Sequence, residues 1–212
     1  MISFDTEQIK KIVNAIEKQG YIVLPSAIPE KLLASLVAQI KSLNEIDLKM
    51  AGIGRGNVQQ SNQEIRRDKI YWLSKQNTID NEFLNLMESM RKGLNQSLYL
   101  GLFDYESHYA IYKQGDFYKQ HVDALKGKSN RKLSTVLYLN EQWSTQDGGE
   151  LIIYAQDEKS ILETVIPNAG TMVIFLSEQF PHEVLEAKKI RYSIAGWFRV
   201  NASDSQTIDT MI

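Results

Sequence analysis

The chain has no cysteine among its 212 residues, which excludes disulfide staples, thiolate zinc sites and cysteine nucleophiles. It also lacks an excess of charge: Lys plus Arg total 24 and Asp plus Glu 26, for a formal net charge of −2. Without a basic field to gather phosphates, no nucleic-acid partner is expected. No apolar run approaches the length that spans a bilayer. Residues 1–20 are charged and amphipathic, with no apolar signal core, so the expected location is the cytoplasm, without a membrane partner. The sequons at Asn95-Gln96-Ser97 and Asn201-Ala202-Ser203 are then chance matches. Internal repeats are absent. Histidine is scarce, at three residues, so the position of each carries weight.

What is present is enough apolar material for one substantial core, with a hydrophobic share of 43%. A single domain over 1–212 is expected, with helical support in 1–106, a jelly-roll core in 107–200 and a polar tail in 201–212. Ile9, Ile12, Val13 and Ile16 recur at helical spacing between an N-cap at Asp5 or Thr6 and a stop at Gly20. Pro29 opens a second helix carrying Leu32, Leu33, Leu36, Val37, Ile40 and Leu43, and Phe83, Met87, Met90 and Leu94 mark a third. The methionines read as core filler. Short strands are predicted over 21–24 and 68–73. From 107 onward the pattern is all strand, over 109–112, 117–121, 133–140, 150–154, 161–166, 171–176 and 191–200, with turn residues between. The fold class is mainly β with supporting helices: a double-stranded β-helix of jelly-roll, cupin-like type packed on N-terminal α-helices.

Between these parts, residues 44–63 turn to Gly, Asn, Gln and Ser and read as a long irregular loop, either a lid or binding loop or a disordered insert. Gly52, Gly54 and Gly56 do not make a dinucleotide fingerprint, because no strand leads into them and no βα pattern follows.

The candidate chemistry starts at His121 and Asp123. Two residues apart on an extended segment, their side chains point to one side. If His182 folds beside them, two imidazoles and one carboxylate share one face of a metal, a set that suits non-haem Fe(II) with positions left open. Arg191 follows His182 by nine residues on the next strand. A guanidinium in a β-rich core needs an anion, either an internal acid or one end of a dicarboxylate whose other end reaches the metal. His108 has no ligand-like neighbour and reads as a strand histidine satisfied by a hydrogen bond.

Several segments together resemble the Fe(II)/2-oxoglutarate-dependent dioxygenases, and within them the hypoxia-inducible-factor prolyl hydroxylases and their bacterial relatives. The matching pieces are EIRRDKIYW over 64–72, residues 112–123, STVLYLN over 134–140 followed by Trp143, GGEL over 148–151, and PHEV over 181–184 continuing through Arg191 to Trp197. They keep their order across roughly residues 5–200. The resemblance implies that His121, Asp123 and His182 bind Fe(II), and that Arg191 and Tyr138 hold the distal carboxylate of 2-oxoglutarate. Tyr112 would hydrogen-bond near its metal-bound end. It places Thr135 on the Tyr138 face of the same pocket, and Trp197 near the metal as a shield against water. Arg66 and Asp68 would close the edge of the loop over 44–67. The implied activity consumes O2, with ascorbate as a possible accessory, and converts 2-oxoglutarate to succinate and CO2 while hydroxylating a prolyl residue. The implied partner is a cytoplasmic protein presenting that proline, with a translation elongation factor as the candidate class. Collagen-type relatives hold the distal carboxylate with a lysine, and nucleic-acid demethylases carry a second arginine where this chain has Trp197. Oligomeric state is not readable from the residues. A 2-oxoglutarate dioxygenase acting on a small molecule or on another residue type, and a cupin-like metal-binding module, are the competing readings.

Overall fold

Helix signals and strand alternation produce three layers in the computed structural model, which describes residues 2–52, 62–124 and 129–201. Gly54 and Gly56, residues 125–128 and the expected tail from 202 onward, including the end of the second sequon, lie outside the described residues. The helices are α1 (Thr6–Gln19), α2 (Glu30–Ser42) and α3 (Thr78–Leu98). Asp5 caps α1 through a reciprocal box with Gln8, and Gly20 ends it at a φ of 81° that a residue without Cβ adopts freely. Pro29 precedes α2, and Asn77 caps α3 by accepting from the N–H groups of Ile79 and Asp80.

In chain order the strands are β1 (Tyr21–Leu24), β2 (Lys49–Met50), β3 (Lys69–Trp72), β4 (Leu102–Tyr112), β5 (Tyr118–His121), β6 (Arg131–Tyr138), β7 (Leu151–Tyr154), β8 (Ile161–Val165), β9 (Met172–Leu176), β10 (His182–Val184) and β11 (Arg191–Val200). They form a seven-stranded sheet in the order β1-β9-β6-β11-β4-β3-β2 and a four-stranded sheet in the order β5-β10-β7-β8. All ladders within both sheets are antiparallel. The expected jelly roll packed on helices is therefore the observed architecture.

Period-two alternation splits the interior into two cores. Tyr105, Tyr109 and Ile111 of β4, Leu133 and Leu137 of β6, and Ile194 and Phe198 of β11 face the helices, where Ile12, Leu36, Phe83, Met87 and Met90 meet them. The intervening residues Ala110, Tyr112 and Tyr138 face the smaller sheet with Leu151, Ile153, Phe175, Phe180 and Val184. The methionines are core, as expected: Met87 and Met90 are fully buried. Among the described residues no helix is long and apolar enough to cross a membrane.

Two boundaries differ from the sequence expectation. β4 begins at Leu102 and so runs across the 106/107 division between support and core. Its opening residues Asp104 and Glu106 look like loop acids, but both are buried and paired with Arg199 and Arg131. The stretch over 44–67 is also less irregular than its composition suggests. Among its described residues it holds a 3-10 turn (Glu45–Asp47) and β2, and Arg66 forms a bridge with Tyr118 that docks residues 65–67 along β5.

Candidate active site

The space between the two sheets is where the singled-out residues meet. β10 pairs His182 directly with His121 at the end of β5, and their ring centroids lie 4.2 Å apart. Asp123 follows just beyond β5. Its Oδ1 is 3.5 Å from His121 Nε2 and its Oδ2 is 3.7 Å from His182 Nε2. The three ligand atoms all lie within 4.8 Å of one another. Each imidazole is oriented from behind: Nδ1 of His121 meets the carbonyl of Lys119 at 2.8 Å, and Nδ1 of His182 meets that of Phe180 at 2.9 Å. A carbonyl can only accept, so Nδ1 carries the proton and Nε2 keeps its lone pair for a metal. Burial pulls the His182 pKa down to about 4, with His121 nearby adding to the effect, so this ring is neutral near pH 7. Burial opposes ionisation of Asp123, but His182, His121 and Arg131 together hold its carboxyl well below the usual range. Two imidazoles that present Nε2 and a carboxylate are a donor set for a divalent metal, and Fe(II) fits it.

Beside this triad Arg191 is 1% exposed. Its Nε donates to the carbonyl of Gly149 at 2.8 Å and its Nη1 to Ser193 Oγ at 3.2 Å. Its guanidinium carbon lies 4.9 Å from the ring centroid of Tyr112 and 5.1 Å from that of Tyr138. Among the described residues no carboxylate is ion-paired with it, in contrast to buried Arg199, which has Asp104. The Tyr138 hydroxyl is buried nearby and makes no well-formed hydrogen bond, and burial pushes its pKa up to about 12, so it stays protonated and able to donate. A buried cation without an anion and an orphaned donor are together costly. A carboxylate end of a dicarboxylate resolves both, which is the fit that 2-oxoglutarate requires. Gly149 makes the arginine's position possible: its φ is +70° and a Cβ there would come within 2.9 Å of Arg191 Cδ.

Thr135 is a correction. Three residues from Tyr138 on one strand, it points to the opposite face, and its hydroxyl bonds Tyr105 at 2.8 Å on the helix side. It does not line the Tyr138 pocket. Trp197 lies on the site-facing side of β11, with its ring against His108 at 5.4 Å and the Arg131 guanidinium 3.5 Å above it. Its Nε1 is buried and meets no hydrogen-bond partner among the described residues. Arg66 and Asp68 form a two-pronged ion pair, at 2.6 and 2.8 Å, with Asp68 fully buried. The same guanidinium stacks over Tyr118, which in turn lies flat on His121 at 3.6 Å. His108 is a strand histidine, 3.3 Å from the Ala195 carbonyl and 3.4 Å from Arg66, and stays out of the triad.

Four residues around the site were not assigned roles from the sequence. Tyr118 backs His121, Gly149 receives Arg191, Arg131 covers Trp197, and Ser134 donates to Asp123 Oδ2 at 2.6 Å. Only Ser134 left a usable signal: at positions 134, 136 and 138 strand alternation puts it on the face of Tyr138.

Residues 107–199 match the family model of the 2OG-Fe(II) oxygenase superfamily. A solved prolyl-4-hydroxylase from Pseudomonas putida is 34% identical, with a TM-score of 0.82 over 92% of this chain and 100% of that one. A prolyl hydroxylase of Trichoplax adhaerens, solved with a hypoxia-inducible-factor peptide fragment, shares the fold at a TM-score of 0.79 and 23% identity, covering 92% of this chain and 94% of that one. Prolyl 3-hydroxylase OGFOD1 of Xenopus laevis is 35% identical over 86 residues, which are 37% of this chain and 16% of that protein. The chain thus spans only a small part of that curated relative. An identity of 34% sustained across the whole of a solved protein goes beyond a shared fold, and the chain belongs to the 2OG-Fe(II) oxygenase superfamily, with prolyl hydroxylases as its relatives.

Proposed function

We propose that the chain is an Fe(II)- and 2-oxoglutarate-dependent hydroxylase that adds oxygen at the 4-position of a prolyl residue in a cytoplasmic protein. A translation elongation factor is the candidate class of target. The observation that carries the 2-oxoglutarate part is Arg191: a buried guanidinium between Tyr112 and Tyr138, with no acid paired to it among the described residues, in the same intersheet space as His121, Asp123 and His182. The prolyl part is supported by the likeness to the Pseudomonas putida prolyl-4-hydroxylase over its full length. A cysteine-free composition suits a reducing compartment.

In this reading His121, Asp123 and His182 hold Fe(II), and Arg191 with the Tyr138 hydroxyl takes the distal carboxylate of 2-oxoglutarate. When bound, the metal, cosubstrate and O2 supply the oxidising chemistry, releasing succinate and CO2. The chain's own contribution is placement and dryness. Nδ1 protons on Lys119 and Phe180 carbonyls aim both imidazoles. Trp197 and Tyr118 wall the site with aromatic surface, and the Arg66–Asp68 pair pins residues 65–67 against β5 beside it. Trp72, 44% exposed, packs on His108, which in turn packs on Trp197.

The test is succinate release from 2-oxoglutarate by purified protein with Fe(II) and cell extract, followed by mass spectrometry of extract proteins. One added oxygen on a prolyl residue, absent with a His121→Ala variant, is the expected result. Succinate without any modified proline would replace the prolyl substrate by a small molecule or another residue type. No succinate at all would leave only a metal-binding module.

A further inference from the structure

Asp123 is held from behind by two serines that the proposed reaction does not use. Ser134 Oγ donates to Asp123 Oδ2 at 2.6 Å and lies 2.9 Å from Ser177 Oγ. A hydroxyl has one proton to give. Ser134 commits its proton to the carboxylate, so Ser177 is the donor in the contact between the two. Both are buried, at 1% and 0% exposure. They come from neighbouring strands, Ser134 from the middle of β6 and Ser177 from the residue after β9. Ser177 is anchored in turn through its backbone: its N–H donates to the Lys132 carbonyl at 3.0 Å, and its own carbonyl accepts from Ala124 N–H at 3.2 Å. The serine that orients Ser134 therefore also ties down the residue next to Asp123.

This arrangement answers a need created by the fold. His121 and His182 are set by a strand ladder and by carbonyls behind their rings, but Asp123 stands past the end of β5 where no ladder fixes it. A carboxylate with two free oxygens has several rotamers. A short charge-assisted hydrogen bond to Oδ2 selects one of them and leaves Oδ1 facing His121 Nε2. Packing alone would be served as well by alanine or valine, which carry no polar atom to desolvate.

We propose that Ser177 and Ser134 form a hydroxyl relay that positions Asp123 as a metal ligand by occupying Oδ2. Both are positioning residues, and the inference rests on the metal-centre reading above. The probe is Mn(II), titrated into the metal-free full chain with 2-oxoglutarate present and followed by calorimetry. Removing a partner of this kind lowers metal affinity by about 10–100-fold. That loss is expected for Ser134→Ala, with a smaller, several-fold loss for Ser177→Ala, which never touches the carboxylate. Ser134→Thr, which restores the hydroxyl, should return affinity to near the wild-type value. A serine serving only the fold would lower the melting temperature of the metal-free protein and leave the affinity of the folded protein unchanged. Unchanged affinity in Ser134→Ala overturns the relay while wild type still binds. Failure of wild type to bind, or equal binding by Asp123→Ala, overturns the metal centre itself. Should Ser134→Ala not fold, Ser177→Ala decides, and Mn(II) affinity equal to wild type rejects the relay.

Discussion

At the scale of single residues, Arg191 is the most informative side chain. Its partners are a carbonyl, a hydroxyl and two aromatic rings, none of which neutralises it. Arg191→Gln should fold, because it removes a buried charge, and should lose about 2–5 kcal/mol of 2-oxoglutarate binding, roughly 30-fold or more in dissociation constant. Titration of the cosubstrate into the metal-loaded variant measures this. Gly149→Ala approaches the same contact from the backbone. A φ of +70° costs an L-residue about 1–2 kcal/mol, and the new methyl would press on Arg191 Cδ. A lower melting temperature together with weaker 2-oxoglutarate binding is the expected pair of outcomes. His108 gives a pH dependence. Burial, with Arg66 and Arg131 adding to it, holds its folded-state pKa well below 6.5, and burial brings His182 to about 4. Below pH 6.5 the unfolded chain takes up protons that the folded chain refuses, so stability falls as pH drops, by up to about 1.4 kcal/mol per pH unit per group. Urea unfolding of metal-free protein between pH 7.5 and 5 should show this slope, and His108→Gln should reduce it to the share that His182 contributes.

At the scale of elements, the docked segment ahead of β3 deserves the closest test. Residues 65–67 are held to β5 by the Arg66 bridge to Tyr118 and by two backbone hydrogen bonds, Arg67 N–H to Phe117 O at 3.2 Å and Lys119 N–H to Ile65 O at 2.9 Å. The Arg66 guanidinium fixes the register by reaching Asp68 on one side and Tyr118 on the other. Arg66→Ala leaves Asp68 buried and unpaired, which costs about 3–5 kcal/mol. Hydrogen exchange should then rise at Arg67 and Lys119 more than in the β4–β11 ladder. Arg66→Ala paired with Asp68→Asn should recover much of the stability but not the stacking on Tyr118. The family resemblance, not composition, assigned this segment to the end of a loop over 44–67. Glycine and glutamine upstream set the average, while two charged residues two positions apart do the docking.

At the scale of the whole molecule, the larger sheet has two working faces. One buries Tyr105, Tyr109, Leu133, Leu137, Ile194 and Phe198 against the three helices, and the other carries Tyr112, Tyr138 and Arg191. A fragment over 102–200, which contains every triad residue, would expose the first face entirely. Such a patch makes an isolated fragment aggregate rather than fold. Size-exclusion chromatography and dye binding on that fragment are expected to show soluble aggregate with exposed apolar surface, in contrast to the full chain.

Local period in the residues themselves determined the three helices and the strand-rich second half, and the scarcity of histidine marked His121, Asp123 and His182 as a candidate ligand set, while the role of Arg191 rests on resemblance to a family. Tertiary structure decided what local period does not carry. Asp104 and Glu106 belong to a strand only because Arg199 and Arg131 meet them from other strands, and Ser134 touches Asp123 only because the sheets close on each other. Thr135 shows the limit from the other side: alternation along β6 already sends it to the helix layer, and its likeness to a family position pointed the wrong way. Pairing across long sequence separation sets which buried polar groups find partners, and that pairing exists only once the two sheets have packed.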